Sequence, residues 1–181
     1  MSQLDDTRMQ ALIARMNDGG ADHVAEIDAL AAEYPEDARL QFLKGSLLVG
    51  LGRHIEAHQA LSRAIAIAPD FAIARFQLGL FQLTSGEADQ ALETWGRLDR
   101  LPDGHYLRPF VDGLRRLIRD DFDGAIVSLE NGIALNGENE PLNRDIRMLI
   151  ERCRAAQTTS TDEDALSATS LLLRQFPMRE H

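Results

Sequence analysis

Apolar residues return along this chain every three to four positions, in runs of about a dozen residues, the signature of amphipathic helices. The pattern predicts helices over 4–16, 21–33, 37–50, 54–67, 71–84 and 88–100. A longer one is predicted over 139–156, where Leu142, Ile146, Leu149, Ile150 and Cys153 fall on one stripe. Pro141 sits near the first turn of this last helix, where its missing N–H costs nothing. The segments between runs are short and punctuated by Gly, Asp or Pro, as in Asn17-Asp18-Gly19-Gly20. Connections this short make neighbouring helices antiparallel.

The runs are written more than once. At one constant offset Gly45 recurs as Gly79, Gly52 as Gly86, Ala57 as Ala91, Leu61 as Trp95 and Ala64 as Leu98, while Pro69 returns one position early as Pro102. A third copy carries Gly113, Ala125 and Leu129 at the same offset, with Asp120-Asp121 in place of the turn glycine and Asn136-Gly137 in place of the closing proline. A worn copy precedes them, with Pro35 one full period before Pro69, Ala11 at the first glycine position and His23 at the alanine position. Paired helices that recur in this way cannot bury their apolar faces singly, and stacking is what closes the core.

Leu78-Gly79, Ala91-x3-Trp95, and Ala57-x3-Leu61 with Pro69 resemble the Leu-Gly, Ala-x3-aromatic and closing-Pro elements of the tetratricopeptide repeat. The constant offset equals that repeat's period, about 34 residues. The pattern departs at the large positions of the first helix, which hold Gln41 and Leu48 in one copy and Arg75 and Gln82 in the next. The resemblance implies an all-α fold, a right-handed α-solenoid of antiparallel helix pairs with about nine to ten helices. It divides the chain into a degenerate repeat 4–37, repeats 38–71, 72–105 and 106–139, and a closing helix 140–156, all within a repeat domain 1–156. A polar linker and C-terminal helix follow over 157–181. The linker reads Gln-Thr-Thr-Ser-Thr, and the helix 162–176 carries Leu166, Leu172, Leu173 and Phe176 behind an acidic first turn.

In such an array the first helix of each pair lines the inner wall. The resemblance places the second, fifth, ninth and twelfth residues of each repeat there, counted from Ala38, Ala72 and Tyr106. These are Arg39, Phe42, Ser46 and Val49; Ile73, Phe76, Leu80 and Leu83; and Leu107, Phe110, Leu114 and Leu117. Three phenylalanines recur with the period itself. If they face a groove, a filled ladder offers roughly 5 to 9 kcal/mol before ordering costs and suits an amphipathic helix or an extended peptide with bulky anchors. A different helix rotation puts the same stripe into the inter-helix core, a reading that polar Gln41, Arg75 and Arg116 at normally inner positions also fit. The same wall lacks the Lys, Asn and Arg set with which tetratricopeptide clamps grip the acidic C-termini of heat-shock chaperones. Carboxylate capture is therefore not expected.

Charge narrows the partners. A net charge of −10 with a single lysine, Lys44, argues against nucleic acid and anionic membrane, which require clustered Lys and Arg to release counterions. Cys153 is the one cysteine, so no intrachain disulfide forms, as suits a reducing compartment. No basic and apolar leader opens the chain, and no stretch approaches ~18 uninterrupted apolar residues. The expectation is an acidic, soluble, cytoplasmic protein.

Candidate chemistry is sparse. His54 and His58 lie four apart on one helix face without a further ligand in pattern. Asp120, Asp121 and Asp123 before Gly124 match a fragment of a calcium loop without its alternating spacing or closing Glu. Cys153 on an apolar stripe reads as buried, and Trp95 matches a core position. No phosphate loop, nucleophile elbow or triad signature occurs. No cofactor or metal is expected. The expected function is that of a non-enzymatic interaction module, a bacterial-type adaptor that binds an apolar peptide or amphipathic helix. A secretion-type chaperone for an export substrate and a self-associating structural subunit are the alternatives, and docking of 162–176 into the chain's own groove is a further expectation.

Overall fold

The computed structural model describes residues 3–18 and 23–159, and every regular element among them is helical. In order these are α1 (Asp6–Asp18), α2 (His23–Glu33), α3 (Ala38–Gly50), α4 (His54–Ile67), α5 (Ala72–Thr84), α6 (Ala88–Trp95), α7 (Leu107–Leu117), α8 (Phe122–Leu135) and α9 (Glu140–Thr159). A 3-10 turn, Gly96–Arg100, ends the α6 segment, which the hydrophobic pattern reads as helical to Arg100. Packing follows chain order, with α2 on α3, α3 on α4, α7 on α8 and α8 on α9. This is an all-α fold in which helices pack on their sequence neighbours, as in an α-solenoid. No helix among the described residues is long and apolar enough to cross a membrane.

The sequence period reappears as a repeated contact. A methyl group added at Gly45 would lie 2.6 Å from Leu61 Cγ, at Gly79 2.6 Å from Trp95 Cε2, and at Gly113 2.6 Å from Leu129 Cγ. Each glycine lets the second helix of its pair set a large buried side chain directly on the backbone of the first. The turns repeat as well. Gly52, Gly86 and Asp120, spaced by the same period, take left-handed φ values of 72, 85 and 58°. In each, the left-handed residue donates to the carbonyl three back, and the next residue donates to the carbonyl five back: Arg53 to Leu48 at 2.9 Å, Glu87 to Gln82 at 2.9 Å and Asp121 to Arg116 at 3.0 Å. This is the Schellman closure of a helix C-terminus. Asp120 therefore does the backbone work of the glycine it replaces.

The chain divides into two compact units, Met1–Gln77 and Leu78–His181, and the division falls inside α5 rather than at a repeat boundary. In the first, Leu4, Met9, Leu12, Ile27 and Leu40 form a buried cluster that draws α1, α2 and α3 together. Leu4 precedes α1 instead of starting it. Its N–H donates to Asp37 Oδ2 at 3.0 Å, and its carbonyl accepts from Arg39. Asp37 is also the N-cap of α3, accepting from Arg39 N at 3.0 Å. Arg39 holds Asp37 through Nη2 at 2.8 Å and Asp6 through Nη1 at 2.7 Å.

In the second unit, Asn136 takes over from the missing proline between α8 and α9. Its amide donates to Asn143 Oδ1 at 2.9 Å, and Asn143 Nδ2 returns a bond to Asn136 O at 2.8 Å, both within the interior. Asn139 then caps α9 by accepting from Leu142 N at 3.1 Å. Helix α9 runs on through Gln157–Thr159, residues assigned to the linker by their polarity. The remainder of the linker, helix 162–176 and Gly19-Gly20 lie outside the described residues.

Candidate functional site

The inner-wall positions of the first unit remain accessible. On α3, Phe42, Ser46 and Val49 are half-buried, and so is Ile73 on α5. The two helices are joined there by Ser46, whose hydroxyl lies 2.6 Å from Gln77 Oε1. Phe42 is steadied from one side by Phe71, ring centroids 5.3 Å apart and tilted by 58°. The result is a partly open apolar strip with one hydroxyl-amide bridge along it. Neither Phe71 nor Gln77 is among the expected wall residues, because both stand outside the four wall positions of their repeat. Arg39, at the head of the strip, is committed to Asp37, Asp6 and the Leu4 carbonyl. Burial alone raises the Asp37 carboxyl, but hydrogen bonds from Arg39 and from the Arg39 and Leu4 amides more than offset it, and the group titrates below the usual range. The same carboxylate, helped by Asp6, holds the Arg39 guanidinium protonated.

Most of the remaining expected wall residues belong to the interior, and the groove assignment is corrected for those. Phe76 and Leu83 on α5, and Leu107, Phe110, Leu114 and Leu117 on α7, are at most 1% exposed. Phe110 shows why. It meets Tyr106 edge-on at 5.9 Å and lies so close to Gly132 of α8 that a side chain at that glycine would enter the ring. Of the three periodic phenylalanines, only Phe42 is accessible. Leu80, in the second unit, is half-buried.

Polar residues at inner positions are satisfied rather than reactive. Gln82 accepts from Thr94 Oγ1 at 2.7 Å, joining α5 to α6, and the Arg75 guanidinium donates to the Pro69 carbonyl at 2.8 Å. Arg116 bridges Asp112 and Asp121 at 2.8 and 2.9 Å. Asp112 accepts a further bond from Ser128 of α8 at 2.6 Å. Burial raises the Asp112 carboxyl, and the Ser128 and Arg116 bonds outweigh that and lower it. Asp121 caps α8 by accepting from Gly124 N at 2.9 Å, and Asp123 accepts from Gln157 at 2.7 Å. These carboxylates serve the fold and do not converge on a cation. No group of three or more His, Cys, Asp and Glu suited to a metal occurs among the described residues. Cys153 is buried, and desolvation pushes its thiol up to about 11, which suppresses the thiolate.

No protein-family model matches this chain, and no curated protein matches it.

Proposed function

We propose that the chain is a tetratricopeptide-like, non-enzymatic interaction module that binds an apolar peptide or amphipathic helix along the α3 strip. The observation that carries this reading is the half-open set Phe42, Val49 and Ile73 around the Ser46–Gln77 bridge, on helices locked by the periodic glycine contacts. A rigid helical scaffold with a narrow apolar strip suits helix-in-groove or extended-peptide recognition.

The magnitudes set the expected strength. Phe76 and Phe110 already contribute their burial to folding, so only the residual exposure of Phe42, Val49 and Ile73 is left for a ligand. At about 1 kcal/mol each this gives roughly 3 kcal/mol before ordering costs. Micromolar binding needs about 8 kcal/mol, so the remainder has to come from polar contacts and from the ligand's other residues. Binding weaker than micromolar is expected for short peptides.

Selection of displayed peptides on the full chain, followed by calorimetric titration, tests the reading. Selected sequences should carry bulky apolar residues at helical spacing, and Phe42→Asp should weaken them at least tenfold with helicity by far-UV circular dichroism unchanged. Peptides that bind Phe42→Asp as tightly as the wild type would overturn it.

A further inference from the structure

Asparagine precedes glycine twice near the end of α8, as Asn131-Gly132 and Asn136-Gly137. Such a pair is chemically labile, because glycine has no side chain to shield its main-chain nitrogen from the Cγ of the asparagine before it. Local backbone decides which pair is open to that attack. Asn131-Gly132 lies inside α8 (Phe122–Leu135), where the helix commits the Gly132 N–H to the carbonyl four back, and Gly132 is buried beside the Phe110 ring. Asn136-Gly137 follows the last turn of α8. Asn136 has extended backbone, with φ −93 and ψ 90°, and Gly137 is exposed with nothing within 4 Å of the place a side chain would take. The earlier repeats close with Pro69 and Pro102, which offer no amide to displace.

The restraint on Asn136 lies in its side chain, which is part of the α8–α9 junction. The residue is 4% exposed. Its Nδ2 donates to Asn143 Oδ1 at 2.9 Å and to the Asn139 carbonyl at 3.2 Å, and its Oδ1 accepts from the Asn139 amide at 3.1 Å and the Glu138 amide at 3.3 Å. Asn143 Nδ2 donates in turn to the Asn136 carbonyl at 2.8 Å. Turning Cγ toward the Gly137 nitrogen breaks these bonds. Attack therefore waits on local opening of the junction.

We propose that Asn136-Gly137 is a self-modification site gated by the α8–α9 junction, and that its conversion releases α9. Once the junction opens, the Gly137 nitrogen bonds to Asn136 Cγ, the Cγ–Nδ2 bond breaks, and Nδ2 departs as ammonia with the proton from the Gly137 N–H. Water then adds to either carbonyl of the cyclic imide and leaves aspartate or isoaspartate at position 136. The product does not fit the closed junction. A carboxylate now faces two acceptors, the Asn139 carbonyl and Asn143 Oδ1, where Nδ2 donated to both, and a buried acceptor without a donor is costly. Rotating the Asn143 amide answers the charge only by giving up its bond to the Asn136 carbonyl. Isoaspartate further lengthens the main chain by one carbon inside the turn. Hydrolysis makes the change one-way, and it is independent of the α3 strip.

The test incubates the full chain at neutral pH, folded and in urea, and follows positions 131 and 136 by peptide mass spectrometry with isoaspartate detection. The folded chain should convert position 136 at least tenfold more slowly than the unfolded chain, and position 131 more slowly still. Asn143→Ala, which removes the gate, should raise the folded rate at position 136 at least tenfold with amide exchange over α3 and α4 unchanged. Gly137→Ala, whose methyl enters open space, should suppress conversion at least tenfold. Chain converted in urea and refolded should exchange its amides over 140–159 at least tenfold faster than unconverted chain treated alike, again with α3 and α4 unchanged. Equal rates in folded and unfolded chain, equal conversion at 131 and 136 in the folded chain, or unchanged exchange in α9 after conversion would overturn the proposal. Should Asn143→Ala fail to fold, the refolded wild-type product decides.

Discussion

Substituting Gly79 with alanine sets two opposing effects against each other. Alanine is the better helix former by about 1 kcal/mol, and α5 would gain that amount if space allowed. It does not. The new methyl would stand 2.6 Å from Trp95 Cε2 and 2.7 Å from Cδ1, against a comfortable carbon separation of about 3.5–4 Å. Trp95 is fully buried and its indole is rigid, so the helices themselves have to separate. Overpacking of this kind costs about 1–3 kcal/mol. With a displacement of about 1 Å the upper end applies, leaving Gly79→Ala destabilised by about 2 kcal/mol after the propensity gain is subtracted. In a Trp95→Leu background, which restores the side chain that Leu61 and Leu129 supply in the other pairs, a flexible tip can yield and the cost should shrink. In Trp95→Ala, itself worth about 3–5 kcal/mol, the clash disappears and Gly79→Ala should change sign, stabilising by about 1 kcal/mol. Urea midpoints followed by far-UV circular dichroism measure the substitution in all three backgrounds. At about 2–4 °C per kcal/mol the effects are also visible in melting temperature. An equal cost for Gly79→Ala in every background would refute the glycine contact as the closure of the pair.

Asp120→Gly should stabilise by about 0.5 kcal/mol, because glycine accepts the left-handed φ of 58° without strain, while Gly86→Ala at the equivalent turn should cost about 1 kcal/mol; thermal melts read both. Gly132→Ala should destabilise by about 1–3 kcal/mol by driving Phe110 from its seat, and Phe110→Ala should cost about 3–5 kcal/mol by leaving a cavity; urea midpoints read both. Asp37→Ala removes an N-cap and one partner of an ion pair whose arginine side chain is 31% exposed. The expected loss is about 2–3 kcal/mol, discounted for that exposure. Because the folded Asp37 carboxyl titrates below its unfolded range, its stabilisation is present above about pH 4. It is lost as pH falls further, so an acid titration of stability should be shallower below pH ~4 in Asp37→Asn than in the wild type.

The period was legible because small and large residues alternate between paired helices at a constant offset, and the contacts Gly45–Leu61, Gly79–Trp95 and Gly113–Leu129 are that pairing in space. Helix α6 ends sooner than its stripe suggests, at Trp95, and Leu98 is buried from a 3-10 turn instead. Depth was the part that spacing did not encode. Phe42 and Phe110 occupy the same repeat position, yet one is half-open and the other sealed. The residue facing Phe110 is Gly132, whose counterpart in the first good repeat is Ala64. A methyl group stands at Ala64 where Gly132 leaves space for a ring, and Phe42 packs on Phe71 instead. The middle copy buries Phe76 with the larger Leu98 at that same place, so depth is set by each aromatic's full surroundings and not by one position. A pattern confined to the first helix does not contain that information. The Asp37–Arg39–Leu4 staple was hidden for a related reason, since it joins residues 33 to 35 positions apart through an aspartate that reads as an ordinary turn residue.

The most direct test of an open α3 strip on a sealed scaffold compares Phe42→Asp with Phe110→Asp, measuring helicity by far-UV circular dichroism together with affinity for a selected apolar peptide. Phe42→Asp is expected to remain helical and lose the peptide, and Phe110→Asp to lose helicity altogether. A helical Phe42→Asp that retains wild-type affinity, or a Phe110→Asp that folds normally, would contradict the account.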